Sequence, residues 1–178
     1  DLPDWLWPEL VASHGEADAE RIARALRERS GVGVVGLGGG SSMDAAKAIA
    51  VEATHEGSCW DYLWFRERQP TQATLSMIAV TTTSGTGSQV TQVAVVTNPD
   101  ERCKSAIYHP LAFPRVAIVD PGLIETVPPR MTALTGFDAF THAFESSIHV
   151  GTSPYVRLMA LEAIGLVATE LTPRGIPL

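Results

Sequence analysis

Apolar positions along this 178-residue chain change rhythm several times, and each change marks an element. From Ala17 to Arg29 the period is helical, with Ile22, Ala25 and Leu26 on one face and arginines elsewhere, which predicts an amphipathic helix. Gly33 to Leu37 is a short β-branched run between glycines, the pattern of a buried parallel strand. Gly38-Gly39-Gly40 follows, then Ser41-Ser42-Met43-Asp44, an S-x-x-D capping box with Ser41 as N-cap, opening a helix from Ala45 to Ala53. Met77 to Thr81 predicts a second buried strand. Thr91 to Thr97 and Lys104 to Tyr108 alternate around Asn98-Pro99-Asp100 and predict a β-hairpin. Arg115 to Val119 is a further strand, stopped by Asp120-Pro121. Pro128-Pro129 and Ser153-Pro154 each introduce a helix, because proline suits the first helical turn.

Strand-and-helix alternation thus gives way to helices near residue 127. The expected organisation is an α/β domain over 1–127 and a helical segment over 128–178. The stretch up to about Gly15, broken by tryptophan and proline, has no clean period, and neither repeats nor low-complexity tracts occur. With 45% hydrophobic and 19% charged residues the composition is that of a globular protein. The formal charge of −7 argues against nucleic acid or an anionic membrane as the main partner. No apolar run reaches membrane-span length, and the start D-L-P-D-W-L-W-P-E is unlike a targeting peptide. Cys59 and Cys103 have no metal-ribbon or redox spacing and read as reduced thiols, so a cytoplasmic location is expected.

Candidate chemistry falls at three places. The order strand, three glycines, helix brings unpartnered backbone N–H groups and a positive helix end together, a corner suited to phosphate. A tight β-to-α turn without a ligand fits the same residues. The literal G-x-G-x-x-G at Gly31, Gly33 and Gly36 is a decoy, since it leads into and forms the strand instead of following it. Lys47 lies within a helix and completes no G-K-[ST] motif. The second place is T-T-T-S-G-T-G-S-Q, Thr81 to Gln89, whose hydroxyls suit a phosphate, a ribose or an amide, or simply make a flexible turn. The third is T-G-F-D-A-F-T-H-A-F-E, where Asp138 and His142 lie four apart on one helix face and can grip one divalent cation. Phe137, Ala139, Phe140, Ala143 and Phe144 surround them, which predicts a buried pair; an Asp–His hydrogen bond without metal uses the same spacing.

Four ordered segments carry a resemblance: G-G-G-S-S-M-D-A-A-K-A-I-A (38–50), T-T-S-G-T-G-S-Q-V-T (82–91), F-P-R-V-A-I-V-D-P (113–121) and P-P-R-M-T-A-L-T-G-F-D-A-F-T-H-A-F-E (128–145). Together they resemble the iron-containing (group III) alcohol dehydrogenases, from about Glu16 to Leu171. Gln89 stands where that family commonly has Glu. The resemblance implies a Rossmann-like parallel-sheet domain binding NAD or NADP, then the start of an all-helical metal-binding domain, with the active site in the cleft between them. It implies Gly39, Gly40 and Ser41 on the cofactor pyrophosphate, Thr82, Thr83 and Thr86 along the cofactor, and Lys104 at the nicotinamide-side ribose, where the residue pattern alone reads as a solvated turn lysine. Asp44 and Lys47 are expected to support the fold.

Asp138 and His142 become, by the same resemblance, the first two ligands of Fe2+, with Zn2+ also accepted by such ligands. The implied reaction is hydride transfer between NAD(P) and a small alcohol or its aldehyde or ketone. Alternatives are a metal-free reductase of the same superfamily and a non-catalytic remnant. The family's first strand precedes anything recognisable here and its last two ligand histidines follow Leu178, so the chain reads as the middle of such an enzyme. His149 is too far along the helix axis to share the metal, and His14, His55 and His109 read as solvated loop residues. Phe137 and Phe140 read as core packing. Exposed apolar faces at Met159, Ala163, Ile164 and Val167 predict association, and a homo-oligomer is expected.

Overall fold

A computed structural model describes residues 33–98 and 101–171. The predicted helix from Ala17 to Arg29, His14, and Pro99-Asp100 at the hairpin tip lie outside the described residues. Contacts divide the chain into two compact units. One holds Ser88–Gly122 together with the segment ending at Thr81; the other holds Thr82–Gly87 and the segment from Leu123.

The first unit is α/β. Strands β1 (Gly33–Gly38), β2 (Ser76–Thr81) and β5 (Val116–Ile118) form a parallel sheet in the order β1-β2-β5. β3 (Val93–Asn98) and β4 (Cys103–Tyr108) form the predicted antiparallel hairpin, with Thr97 opposite Lys104. Helix α1 (Gly40–Glu52) lies between the two sheets and has a core on each side. Met43 and Ala46 pack on Met77 and Ala79 of the parallel sheet, while Ala48 and Val51 join Tyr62, Leu63, Ala94 and Ile107 under the hairpin. Being buried on both sides explains the alanine-rich sequence of α1, since small side chains let both sheets approach.

Gly36 explains the discounted glycine motif. A Cβ there would lie 2.6 Å from Met77 Cε and 2.9 Å from Ala46 Cβ, so this glycine permits strand and helix to pack and touches no phosphate corner. β1 is less buried than its apolar run predicted: Gly36 is buried, but Leu37 is half exposed. His55, expected to be solvated, is ordered instead. Its Nδ1 lies 2.7 Å from Val51 O, its Nε2 accepts from Thr71 N–H at 2.9 Å, and its ring meets Tyr62 edge-on.

Lys47 is the unusual core residue. Its side chain has no solvent exposure, and Nζ donates to Ser88 O at 2.7 Å, Ser88 Oγ at 2.9 Å and Val93 O at 2.7 Å, with Thr91 Oγ1 at 3.4 Å. Burial pushes its ammonium down to about 8, with the Asp44 carboxylate at 3.8 Å pulling the other way. At neutral pH it is therefore mostly charged, and it fastens the segment leaving β2 to the helix. Asp44 completes the network by accepting from Ser88 Oγ at 2.7 Å and from Val95 N–H at 3.1 Å. Asp44 and Lys47 thus serve the fold, as the sequence implied.

The second unit contains helices α2 (Pro129–Ile148) and α3 (Pro154–Leu171), each opened by its proline. Ser153 Oγ accepts from Val156 N–H at 3.2 Å and caps α3. Gly136, Ala143 and Ala160 are buried, whereas Leu158, Leu161 and Leu166 are exposed. Met159 is exposed as expected; Ala163, Ile164 and Val167 are only half exposed, the open face of α3 being centred on its leucines. Phe137 is 57% exposed, Phe144 48%, and Phe140 half-buried, so these rings form a stacked row along α2 instead of the expected core packing. The buried stripe of α2 belongs to its smallest residues, which leaves the phenylalanines outward.

Two outcomes follow. Lys47→Met leaves the Ser88 and Val93 carbonyls without their donor and should cost about 2–4 kcal/mol in urea unfolding; a loss below about 0.5 kcal/mol would mean the network contributes little. The exposed leucines of α3 should make the purified chain elute in size-exclusion chromatography above the 19.0 kDa of one copy, and a sharp monomer peak would contradict this.

Candidate functional site

The glycine corner forms where the sequence placed it, but with a different cap. Gly39 is the N-cap of α1, with no side-chain cap bond, and Gly40 is the first helical residue. Ser41 therefore lies one turn-position inside the helix and does not cap it. The capping box does not form because the helix starts earlier than expected, which puts Asp44 beyond the first turn, where it accepts from Ser88 Oγ and Val95 N–H; a reciprocal box occurs at Ser58 and Asp61, at the start of the short turn Cys59–Tyr62. Ser42 and Met43 N–H groups reach Gly39 O at 3.1 Å each, while those of Gly40 and Ser41 precede the first helical acceptor. The first turn of α1 holds no acidic residue to neutralise its positive end. Gly38, at φ +139°, turns the chain into this corner, and a Cβ on it would lie 2.8 Å from Ser42 Cβ. These features fit a phosphate.

Ser41 and Lys104 line one groove of about 680 Å³ between α1 and the hairpin, together with Asp44, Ala48, Glu52 and Thr97. Lys104 is exposed there, opposite Thr97 across the hairpin. Two of the expected cofactor residues are thus brought to one surface of the first unit. Cys59 also lines this groove. Burial first, then the Glu52 carboxylate, pushes its thiol up to about 11, so it stays protonated and is no nucleophile.

Thr82, Thr83 and Thr86 lie in the loop Thr82–Gly87 of the second unit, half-buried. This loop is seated on α2 by Ser84 Oγ and Thr135 Oγ1, 2.9 Å apart. Gly85 has φ +92°, and a Cβ at that position would collide with the Thr135 carbonyl oxygen. Only glycine satisfies both demands.

Asp138 and His142 project from α2 on consecutive turns, with Asp138 Oδ1 3.8 Å from His142 Nε2. The pair is not buried, contrary to the expectation drawn from its phenylalanine neighbours. The Asp138 side chain is 44% exposed and that of His142 52%. Its neighbours in sequence point elsewhere around the helix, so they do not desolvate it. The separation is too long for a hydrogen bond. It is somewhat longer than the roughly 3–3.5 Å that bonds of about 2.0–2.2 Å set between adjacent ligands of one cation, a difference that rotation of two exposed side chains closes. His142 Nδ1 lies 3.2 Å from Gly85 O. A carbonyl only accepts, so Nδ1 donates and the Nε2 lone pair faces Asp138. The donor set fits the first half of a metal site. Among the described residues no group of three such ligands occurs, and His149 sits at the C-terminal end of α2, where its Nδ1 accepts from Gly151 N–H.

Sequence reasoning missed the Gly85 carbonyl, because a backbone oxygen 57 positions from His142 leaves no mark in side-chain spacing. The glycine itself, inside a run of hydroxyl residues, was the available signal.

Comparison with known proteins finds matches along both parts of the chain. Residues 7–121 match the family model for iron-containing alcohol dehydrogenase, and residues 132–173 match that for the Fe-containing alcohol dehydrogenase family, C-terminal part. The chain is 45% identical over 139 residues to long-chain-alcohol dehydrogenase 1 of Geobacillus thermodenitrificans, covering 78% of this chain and 35% of that protein. Among solved structures, an archaeal halo-thermophilic alcohol dehydrogenase from a Red Sea brine pool superposes with a TM-score of 0.76 and 41% identity, over 88% of this chain and 41% of that one. Sulfoacetaldehyde reductase from Bifidobacterium kashiwanohense, in complex with NAD+, gives 0.74 and 39%, over 85% and 40%. The chain spans between about a third and two fifths of the length of the curated relatives it matches. A Rossmann-like α/β unit followed by helices, with these matches along both, places the chain in the iron-containing alcohol dehydrogenase family.

Proposed function

We propose that this chain contributes the dinucleotide-binding elements and two metal ligands of an enzyme that moves hydride between NAD(P) and a small alcohol, or its aldehyde or ketone. The observation that carries the reading is the Asp138–His142 pair, open to solvent and held with the imidazole Nε2 turned toward the carboxylate. A metal-free reductase has no use for that arrangement.

When bound, a divalent cation such as Fe2+ or Zn2+ supplies Lewis acidity to a substrate oxygen, and the nicotinamide supplies or takes the hydride. The chain's own residues do the rest. Asp138 Oδ1 and His142 Nε2 bind the cation, and further ligands come from outside the described residues. Gly40 and Ser41 direct N–H groups at the pyrophosphate from the start of α1, where the helix dipole adds to their attraction. Lys104 places a positive charge at the groove it shares with Ser41, suited to a ribose hydroxyl or a phosphate oxygen. Thr82, Thr83 and Thr86 offer hydroxyls and backbone to the cofactor from the loop that Ser84 seats on α2. The relative crystallised with NAD+ supports the cofactor assignment.

Alcohol-dependent NAD(P)H formation after anaerobic Fe2+ loading tests the reading. Asp138→Ala and His142→Ala should each lower kcat/KM by more than about a hundredfold; variants as active as the parent would sink it. Separately, Lys104→Ala should weaken NADH binding about tenfold, close to 1.4 kcal/mol, in a fluorescence titration without metal. Unchanged affinity would remove Lys104 from the cofactor site.

A further inference from the structure

The loop Thr82–Gly87 does more than carry candidate cofactor residues. Gly85 O accepts the only kind of hydrogen bond that an imidazole Nδ1 can give it, at 3.2 Å, and the loop is pinned beside the metal-ligand helix by Ser84 Oγ on Thr135 Oγ1 at 2.9 Å. We propose that Gly85 is a positioning residue for the metal site: its carbonyl holds His142 as the Nδ1–H tautomer and presents Nε2 beside Asp138 Oδ1. The proposal rests on the metal reading above and adds the device that prepares the ligand before the cation arrives.

Three observations converge on it. First, the imidazole is half exposed, so burial does not fix its ring. The described protein contact that does is the Gly85 carbonyl. Second, neutral imidazole in water favours the proton on Nε2, which would leave Nε2 a donor facing Asp138 and unable to bind a metal. Reversing that preference needs an acceptor at Nδ1, and a backbone carbonyl is the usual one. Third, the carbonyl reaches Nδ1 only because the loop lies unusually close to α2. The φ of +92° at Gly85, and the collision that any Cβ there would have with the Thr135 carbonyl, make the approach specific to glycine. A side chain at position 85 would force the loop away from α2 and withdraw the acceptor. Gly87 has φ +66° but nothing within 4 Å of a Cβ position, so the tight contact is a property of Gly85 and not of the loop's glycines in general.

The experiment reads the tautomer directly. In the metal-free full chain carrying 15N-labelled histidine, at a pH where imidazole is neutral, His142 is assigned as the signal lost in His142→Gln. The expected spectrum shows Nδ1 protonated and Nε2 of pyridine type. In Gly85→Ala the His142 signals should shift toward the Nε2–H form, and Zn2+ affinity, measured by competition with a chromophoric chelator, should fall about 10–100-fold. If Gly85→Ala does not fold, Ser84→Ala removes the loop's tether without backbone strain and should shift the tautomer in the same direction. A wild-type His142 in the Nε2–H form, or loop variants that keep both tautomer and affinity, would overturn the proposal. A wild type with the Nδ1–H imidazole whose Nε2 signal ignores Zn2+ overturns the metal reading instead, so the two failures are told apart.

Discussion

An ammonium group with no solvent contact organises the α/β unit. Lys47 reaches out of the middle of α1 and takes two backbone carbonyls, Ser88 O and Val93 O, at 2.7 Å each. Those carbonyls belong to the segment that leaves β2 and to the first residue of the hairpin. A buried carbonyl that loses its donor costs about 1–3 kcal/mol. The charge itself is tolerated because every direction open to Nζ meets an oxygen and because Asp44 stands 3.8 Å away. One side chain thereby ties the helix that begins at the glycine corner to the hairpin that carries Lys104.

The start of α1 keeps its positive end because the helix begins earlier than the Ser41 motif predicted. Gly39 is the N-cap, which puts Asp44 beyond the first turn, where it accepts from Ser88 Oγ and Val95 N–H. The first turn is left with a glycine N-cap, a second glycine and no acidic residue. In the second unit the loop Thr82–Gly87 presents hydroxyls, and its Gly85 carbonyl lies 3.2 Å from His142 Nδ1.

Much of this was legible from the chain. The β-branched runs at Gly33 and Met77 became paired parallel strands, the alternation around Asn98 became a hairpin, and the two proline pairs opened helices close to where they stand. These signals are local: periodicity, turn chemistry and proline geometry act over a few residues. The pair Asp138 and His142 was legible for the same reason, because four residues make one helical turn. The surroundings of that pair were not. Five apolar neighbours suggested burial, yet Gly136 and Ala143 form the buried stripe and the phenylalanines face outward.

By itself the sequence determined the order of the described strands and of the two proline-opened helices, and the family, since each depends on short-range pattern. Only the tertiary structure decided which groups individual residues meet: Asp44 on Ser88 instead of its own helix end, Lys47 among carbonyls, Gly36 as a packing contact, Gly85 O on His142. Each of these contacts joins positions 10 to 57 apart along the chain. Backbone donors and acceptors are identical at every residue, so their long-range pairings leave no trace in residue type until folding brings them within about 3 Å.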